Sequence, residues 1–253
     1  MRILIVSHYY SEHRGGVEIV AGELAERLAR REIDVTWAAS RTSTDQNQQQ
    51  TSNRIAMEAW NITERTLGFP YPLWGPIGLI HLWQAVRACD LVHIHDSLYM
   101  GNLVAYIYAR LLGKPIAVTQ HIGMVPYSHR LLRGLLTFAN HTLASQVLRG
   151  CDCCIFISEK VQLYFVQFGR FSHAPLFIPN GIATSIFYPV SFEERQWLRQ
   201  ERGLAINKRL MLFVGRFVEK KGLALLRILA EYFPECEWIF IGWGPLEIGR
   251  AHV

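Results

Sequence analysis

Residues 2–29 read RILIVSHYYSEHRGGVEIVAGELAERLA, and three different periodicities follow one another inside them. Residues 2–7 form a continuous apolar run with β-branched members, the pattern of a strand covered on both faces. The polar stretch Ser11-Glu12-His13-Arg14-Gly15-Gly16 then breaks the run with two adjacent glycines. From Val17 onward, Val20, Ala21, Leu24, Ala25 and Leu28 recur at spacings of three and four, while Glu23, Glu26 and Arg27 fall off that face. Strand, glycine turn and amphipathic helix in that order open an α/β fold.

The rest of the chain repeats the alternation. Strands are predicted at 34–39, 91–95, 116–119 and 153–157, with helices at about 101–112 and 129–149. The charge-free stretch 66–86 approaches membrane-spanning length, but Pro70, Pro72 and Pro76 break its first half, so it reads as a loop followed by a short helix. The Gln-rich stretch 43–53 reads as a polar loop. After Ile178-Pro179-Asn180-Gly181 the pattern restarts, with a charged helix near 191–202, a strand at 210–214, a helix at 223–232 and a strand at 238–241. A domain boundary is therefore placed near 180. The expected organisation is a first Rossmann-like domain over 1–180 and the start of a second over 181–246. A domain of this class needs ~100–150 residues, so the second is expected to be incomplete. Residues 247–253 read as foreign to the fold.

Composition narrows the function. Half of the 253 residues are hydrophobic and 19% are charged, which excludes a disordered tail or a fibre. Lys plus Arg number 26 against 21 acidic residues, a balance that permits an anionic substrate and gives no ground for a nucleic-acid partner. Five cysteines, three of them crowded at 151, 153 and 154, do not form a secreted disulfide framework, and Ile3 to Val6 is too short for a signal-peptide core. A cytoplasmic location is expected.

Several constellations could carry chemistry. Gly15-Gly16 sits between the first strand and the first helix, where backbone N–H groups and the positive helix end can meet an anion, or where the chain merely needs a tight turn. Arg216 and Lys221 follow a predicted strand and precede a helix, where two cations oppose the helix dipole unless an anion is present. The alternative is a solvated basic loop. His93 and His95 are two apart on a strand and share a side, with Asp96 at its carboxyl end, where parallel sheets bind ligands. These three could hold a metal, line a cleft or be satisfied inside the core. His121 leaves the next strand in the same way, in Thr119-Gln120-His121. The CxxC spacing of Cys151 and Cys154 has no second pair near it and reads as structural. The aromatic stretch 69–74 could grip a lipid or sugar acceptor, and Arg130, Arg133 and Arg149 could touch an anionic membrane surface. Ordinary packing and solvated charge are the alternatives to both.

Taken in order, these features resemble a retaining glycosyltransferase of family four. The resemblance rests on Gly15-Gly16-Val17-Glu18, on Asp90-Leu91-Val92-His93-Ile94-His95, on Thr119-Gln120-His121 and on Ile157-Ser158. It continues through Ile178-Pro179-Asn180-Gly181-Ile182, Val214-Gly215-Arg216-Phe217 with Glu219, Lys221 and Gly222, and Gly242-Trp243-Gly244-Pro245. It implies GT-B architecture, two Rossmann-like doubly wound parallel-sheet domains facing each other across a cleft. It implies a nucleotide-sugar donor held mainly by the second domain and a sugar or lipid-linked acceptor held mainly by the first. Arg216 and Lys221 would neutralise the donor diphosphate, the Gly15-Gly16 main chain would approach it, and His121 would hydrogen-bond the donor sugar. Glu18, His95, Asn180 and Gly181 would line the acceptor side of the cleft. No metal or other cofactor would be needed, because fixed cations stabilise the leaving group. The family's second domain also carries two glutamates eight positions apart that this chain lacks, so the chain is expected to be an inactive fragment of a cytoplasmic or membrane-peripheral enzyme. Two other readings compete: a metal-dependent hydrolase using His93, His95 and Asp96, and a non-catalytic sugar-phosphate binding module.

Overall fold

The computed structural model describes residues 1–41, 52–61, 71–125, 130–244 and 246. Sequence readings that fall on 42–51, 62–70, 126–129, 245 and 247–253, including most of the Gln-rich loop and Phe69-Pro70, lie outside the described residues. The chain divides into two compact units, Met1–Asn180 and Gly181–Val253.

The first unit is built on seven parallel strands. β1 (Arg2–Tyr9), β2 (Asp34–Ser40) and β3 (Asn53–Met57) run outward on one side, and β6 (Leu91–His95), β7 (Ile116–Gln120), β8 (Cys153–Phe156) and β9 (Leu176–Phe177) on the other. The order is therefore β3-β2-β1-β6-β7-β8-β9, with a reversal of winding between β1 and β6. β4 (Ala59–Trp60) and β5 (Leu73–Trp74) form a small antiparallel pair beside it. The helices are α1 (Gly16–Ala29), α2 (Pro76–Ala88), α3 (Met100–Leu111), α4 (Arg130–Ala139), α5 (Ser145–Gly150) and α6 (Glu159–Val166).

The apolar run of β1 explains its central place. Leu4 and Val6 enter one core with Ala38 and Met57 of the neighbouring strands, Leu82 and Val86 of α2, and Ala105 and Ala109 of α3. Ile3 and Ile5 enter a second core on the opposite face, with Ala21 and Ala25 of α1 and Trp37 of β2. Each large side chain withdrawn from water contributes about 2 kcal/mol, and a strand supplying both faces must lie inside the sheet. β6 is different: Val92 and Ile94 join the first core, whereas the alternate positions carry His93 and His95, both buried.

The helix expected at 129–149 forms without interruption over 130–150, with a π-helical turn at Asn140–Ala144 between α4 and α5. For the stretch at 69–74, packing is the alternative that holds at its described end. Trp74 is buried, and its indole Nε1 donates to Ser40 Oγ at 2.7 Å, while Tyr71 donates to the Leu98 carbonyl at 2.9 Å.

The second unit contains α7 (Phe192–Glu201), β10 (Leu210–Val214), a single 3-10 turn (Glu219–Lys221), α8 (Leu223–Tyr232) and β11 (Glu237–Ile241). Ser191 caps α7, its hydroxyl accepting from the Glu194 N–H at 3.1 Å. β10 and β11 pair in parallel with Leu210 opposite Glu237.

Candidate functional site

In an open α/β sheet, two neighbouring strands whose connections leave in opposite directions open a crevice at their carboxyl ends. Here those strands are β1 and β6. The side chains gathered there are His8 from the end of β1, His95 and Asp96 from the end of β6, and His121 from the exit of β7.

His95 Nδ1 and His121 Nε2 lie 3.0 Å apart, with one imidazole donating to the other. The rings overlap with centroids 5.3 Å apart, and His93 lies behind them, 4.6 Å from His95 ring to ring. His93 Nε2 is engaged by Thr119 Oγ1 at 2.8 Å. Burial holds the His93 and His121 pKa values down at about 4 and pushes that of His95 well below its ordinary value, to which its histidine neighbours add. The three rings are therefore neutral at pH 7. A neutral imidazole keeps one N–H donor and one acceptor, so the cluster can orient a hydroxyl without carrying charge.

Asp96 is built into the same corner. Its backbone is left-handed at φ 67°, which aspartate tolerates better than most residues. The turn brings its Oδ1 to the N–H groups of His121, at 2.8 Å, and Ile122, at 3.1 Å. Oδ2 is buried with no hydrogen-bond partner. Burial raises the carboxyl to about 7 even though those two N–H groups pull it down. Asn102, near the start of α3, donates to the carbonyls of His95 and Asp96 at 2.6 Å each, fixing the chain as it leaves β6. Gln120 accepts the Ser97 N–H at 3.1 Å and donates to the Ile122 carbonyl at 2.6 Å, tying that exit to the exit of β7.

The glycine turn contains a second cluster. Arg14 takes a left-handed conformation at φ 59°, Gly15 is the N-cap of α1, and Gly16 begins the helix. Glu18 folds back over this corner: a Cβ on Gly15 would collide with its carboxylate. Burial alone would raise the Glu18 pKa, but the imidazoles of His13 and His8 reach the same oxygen, Oε1, at 2.9 and 3.0 Å, and hold it below the ordinary carboxylate range. His8 in turn lies flat on Tyr99 with centroids 3.8 Å apart, and Tyr99 stacks on Tyr71. Glu18 is thus buried. It can act on a ligand only through the imidazoles it orients, of which His13 is the more exposed.

The remaining sequence candidates are not part of this constellation. Asn180 and Gly181 are exposed at the junction between the units. In the second unit, Arg216 is half-buried after β10 and Lys221 is exposed at the end of the 3-10 turn. Gly222, at φ 74°, is the N-cap of α8, a conformation a side chain would strain. The metal arrangement considered for His93, His95 and Asp96 does not form. Their near atoms are taken by Thr119, His121 and backbone N–H groups, and among the described residues no group of three or more His, Cys, Asp or Glu is placed to hold a metal ion.

Sequence reasoning missed His8, His13, Tyr99 and Asn102. His8 had a signal: it lies two residues past an apolar run, at the carboxyl end of a strand, by the same logic that selected His95. The stacking of His8 on Tyr99 joins residues 91 positions apart, and no local pattern announces it.

Comparison with known proteins agrees with this architecture. Residues 14–186, well over half of the chain, match the domain described as Glycosyltransferase Family 4. A Bacillus subtilis (strain 168) protein named as a teichuronic acid biosynthesis glycosyltransferase, TuaC, is 26% identical over 157 residues, which are 62% of this chain and 38% of that protein. Anabaena Alr3699/HepE in complex with UDP-glucose superposes with a TM-score of 0.67 at 19% identity, covering 99% of this chain and 62% of that one. The UDP-N-acetylglucosamine 2-epimerase of Rickettsia bellii gives 0.52 at 11% identity, covering 99% and 67%. The chain thus spans well under half of its curated relative and less than two thirds of HepE. Structures this distant in sequence share the fold alone, and that fold is the GT-B α/β architecture with its large parallel sheet. The extended match over 14–186, containing the glycine turn, the histidine-bearing strand and the exit of β7, decides the family: the chain belongs to Glycosyltransferase Family 4.

Proposed function

We propose that this chain takes part in moving a hexose from a nucleotide-diphosphate sugar to a glycan, lipid-linked or small-molecule acceptor, with retention of configuration. The observation that carries the reading is the neutral His95–His121 pair at the switch point of a Family 4 chain. Breaking a sugar–phosphate bond puts positive charge on the ring and negative charge on the diphosphate. A cationic imidazole beside the ring would oppose the first, whereas a neutral one can hold a sugar hydroxyl without that penalty. His121 is assigned that contact, with His95 positioning it.

The diphosphate is assigned to Arg216 and Lys221. Fixed cations on a leaving group lower the barrier in the way a metal ion otherwise would, so the reaction needs no metal in this scheme. Residues 1–180 are assigned to the acceptor and 181–246 to the donor, with Asn180 and Gly181 between them. Glu18 sets the tautomers of His8 and His13 and so shapes the acceptor side.

The sequence likeness to TuaC and the fold likeness to HepE support this reading, and UDP is the first nucleotide to test because HepE was solved with UDP-glucose. Titration calorimetry with UDP is expected to show binding that Arg216→Ala weakens by about a hundredfold, the typical loss of one preorganised charged contact. Affinity unchanged from the parent chain in both Arg216→Ala and Lys221→Ala would overturn the assignment. A screen of nucleotide sugars by product mass then identifies the transferred group.

A further inference from the structure

We infer that helix α4 docks the protein onto an anionic lipid bilayer, lying in the headgroup layer with one flank apolar and the other cationic. α4 has the sequence Arg130-Leu131-Leu132-Arg133-Gly134-Leu135-Leu136-Thr137-Phe138-Ala139, and none of these residues is buried. Leu131, Leu135 and Phe138 are 76%, 63% and 67% exposed. At the advance of about 100° per residue of an α-helix, those three fall within an arc of roughly 60°. Leu132 and Leu136, which are half-buried, mark the inward side. Arg130, Arg133 and Thr137 cluster on the other flank of the outward face, with Gly134 between the two rows.

A helix in water normally turns such a leucine stripe toward a core. This one leaves it in solvent beside a row of cations, the pattern of a helix that lies in a membrane interface. The open cleft over Gly134, about 540 Å³, is lined by Met124, Arg130, Arg133, Thr137, Phe138 and His141. That is a place for a lipid phosphate with its acyl chain running over the stripe.

Charge selects an anionic bilayer over other partners. The protein has no basic block, but its acids leave a gap: between Asp96 and Asp152 there is no Asp or Glu, and there are five cations, Arg110, Lys114, Arg130, Arg133 and Arg149. Among the described residues neither Arg130 nor Arg133 is in an ion pair, so both charges remain available to headgroups. No described helix is long and apolar enough to cross a membrane, so attachment here means lying on the surface. The surface also adjoins the candidate site. Thr137 Oγ1 lies 3.5 Å from Met124 Sδ, and Met124 is three residues past His121.

The test is co-sedimentation of the 253-residue chain with vesicles of phosphatidylcholine alone or with phosphatidylcholine containing one third phosphatidylglycerol. Binding is expected to the second and not the first, and to weaken in high salt. Arg130→Gln with Arg133→Gln is expected to lower partitioning about thirtyfold, from two lost cation contacts. Leu131→Ser with Leu135→Ser and Phe138→Ser is expected to abolish it. These side chains are exposed, so circular dichroism should match the parent chain. Partitioning that is equal on both vesicles, or unchanged in the serine variant, overturns the proposal. So does light scattering that shows a dimer dispersed by the serine variant, which would mean that the stripe covers a second copy. The readout is binding, independent of nucleotide-sugar transfer.

Discussion

His95 Nδ1 sits 3.0 Å from His121 Nε2, and this one hydrogen bond links the carboxyl ends of adjacent strands β6 and β7. His95 is the buried member, and its backbone carbonyl is held by Asn102. The rigid partner therefore aims the accessible one. Substituting His95→Phe keeps the ring and removes the bond, so His121 loses its fixed tautomer and orientation. In a protein that transfers sugar, kcat is expected to fall ten- to a hundredfold with KM for the donor within about threefold, the pattern of lost positioning. A large rise in KM with kcat intact would assign His95 to binding instead. Nitrogen chemical shifts of His121 report its tautomer in both variants and separate lost orientation from general damage.

Acid should weaken the first unit through the same rings. His93 and His121 titrate at about 4 in the folded chain and near 6.5 when unfolded. A depressed histidine pKa means the unfolded state binds more protons between those values, so the stabilising contribution is present above pH 6.5 and lost as pH falls toward 4. At ~1.4 kcal/mol per pKa unit, each ring contributes roughly 3 kcal/mol across that window. Asp96 has the opposite sign: raised from 3.8 to about 7, it favours the fold below 3.8 and loses that contribution as pH rises through 7. Urea unfolding from pH 4 to 8 is expected to show a maximum near pH 6 to 7, and Asp96→Asn should steepen the loss toward acid and remove the decline between the maximum and pH 7. A stability that rose steadily from pH 7 to 4 would contradict the lowered histidine values.

The difference between what local sequence showed and what it hid is physical. β1 was legible because every residue from Ile3 to Val6 must be buried, and a run apolar on both faces has few solutions other than a central parallel strand. His95 and His121 were legible because each ends such a strand at the edge where ligands enter. The arrangement of Glu18 was not. Its sequence position says only that it stands in the first turn of a helix, whereas its burial depends on His8, from another element, and on Tyr99, far along the chain. The π-helical turn after Ala139 was hidden too. Thr142 and Asn140 carry ordinary helical patterning, and the wider turn shows itself only in which carbonyl each backbone donor reaches, as when the Ser145 N–H donates to the Asn140 carbonyl five residues back.

Glu18 offers a stability test of its cluster. Its single oxygen Oε1 takes hydrogen bonds from two imidazoles, so Glu18→Gln keeps the shape and removes the charge that both rings favour. Loss of charge-assisted bonds in a buried place is expected to cost about 2–3 kcal/mol at pH 7, measured by urea unfolding. Because the carboxylate pKa is lowered on folding, its contribution is present above pH 4.5 and lost as pH falls below it. The gap between parent and variant should therefore narrow under acid. A gap that widened there would mean that the carboxyl is protonated in the fold.

Two glycines inside helices are predicted to respond to alanine with opposite signs, and packing decides which. Gly101, in α3, lies against the indole of Trp74: an added Cβ would come within 2.6 Å of its ring carbons. Trp74 cannot yield easily, being buried and held by its bond to Ser40. Overpacking of this kind costs about 1–3 kcal/mol, which outweighs the ~1 kcal/mol that alanine gains over glycine in a helix, so Gly101→Ala should destabilise. Gly134, in α4, has nothing within 4 Å of the same position, so Gly134→Ala keeps the propensity gain and should stabilise the helix by up to about 1 kcal/mol. Hydrogen exchange of the α4 amides is the suitable measurement for the second, because a helix with no buried residue opens locally before the sheet unfolds. Slower exchange in Gly134→Ala beside a lowered urea midpoint in Gly101→Ala is the expected pair. If Gly101→Ala were instead neutral, the close approach of α3 to Trp74 would have to be looser than the structure shows.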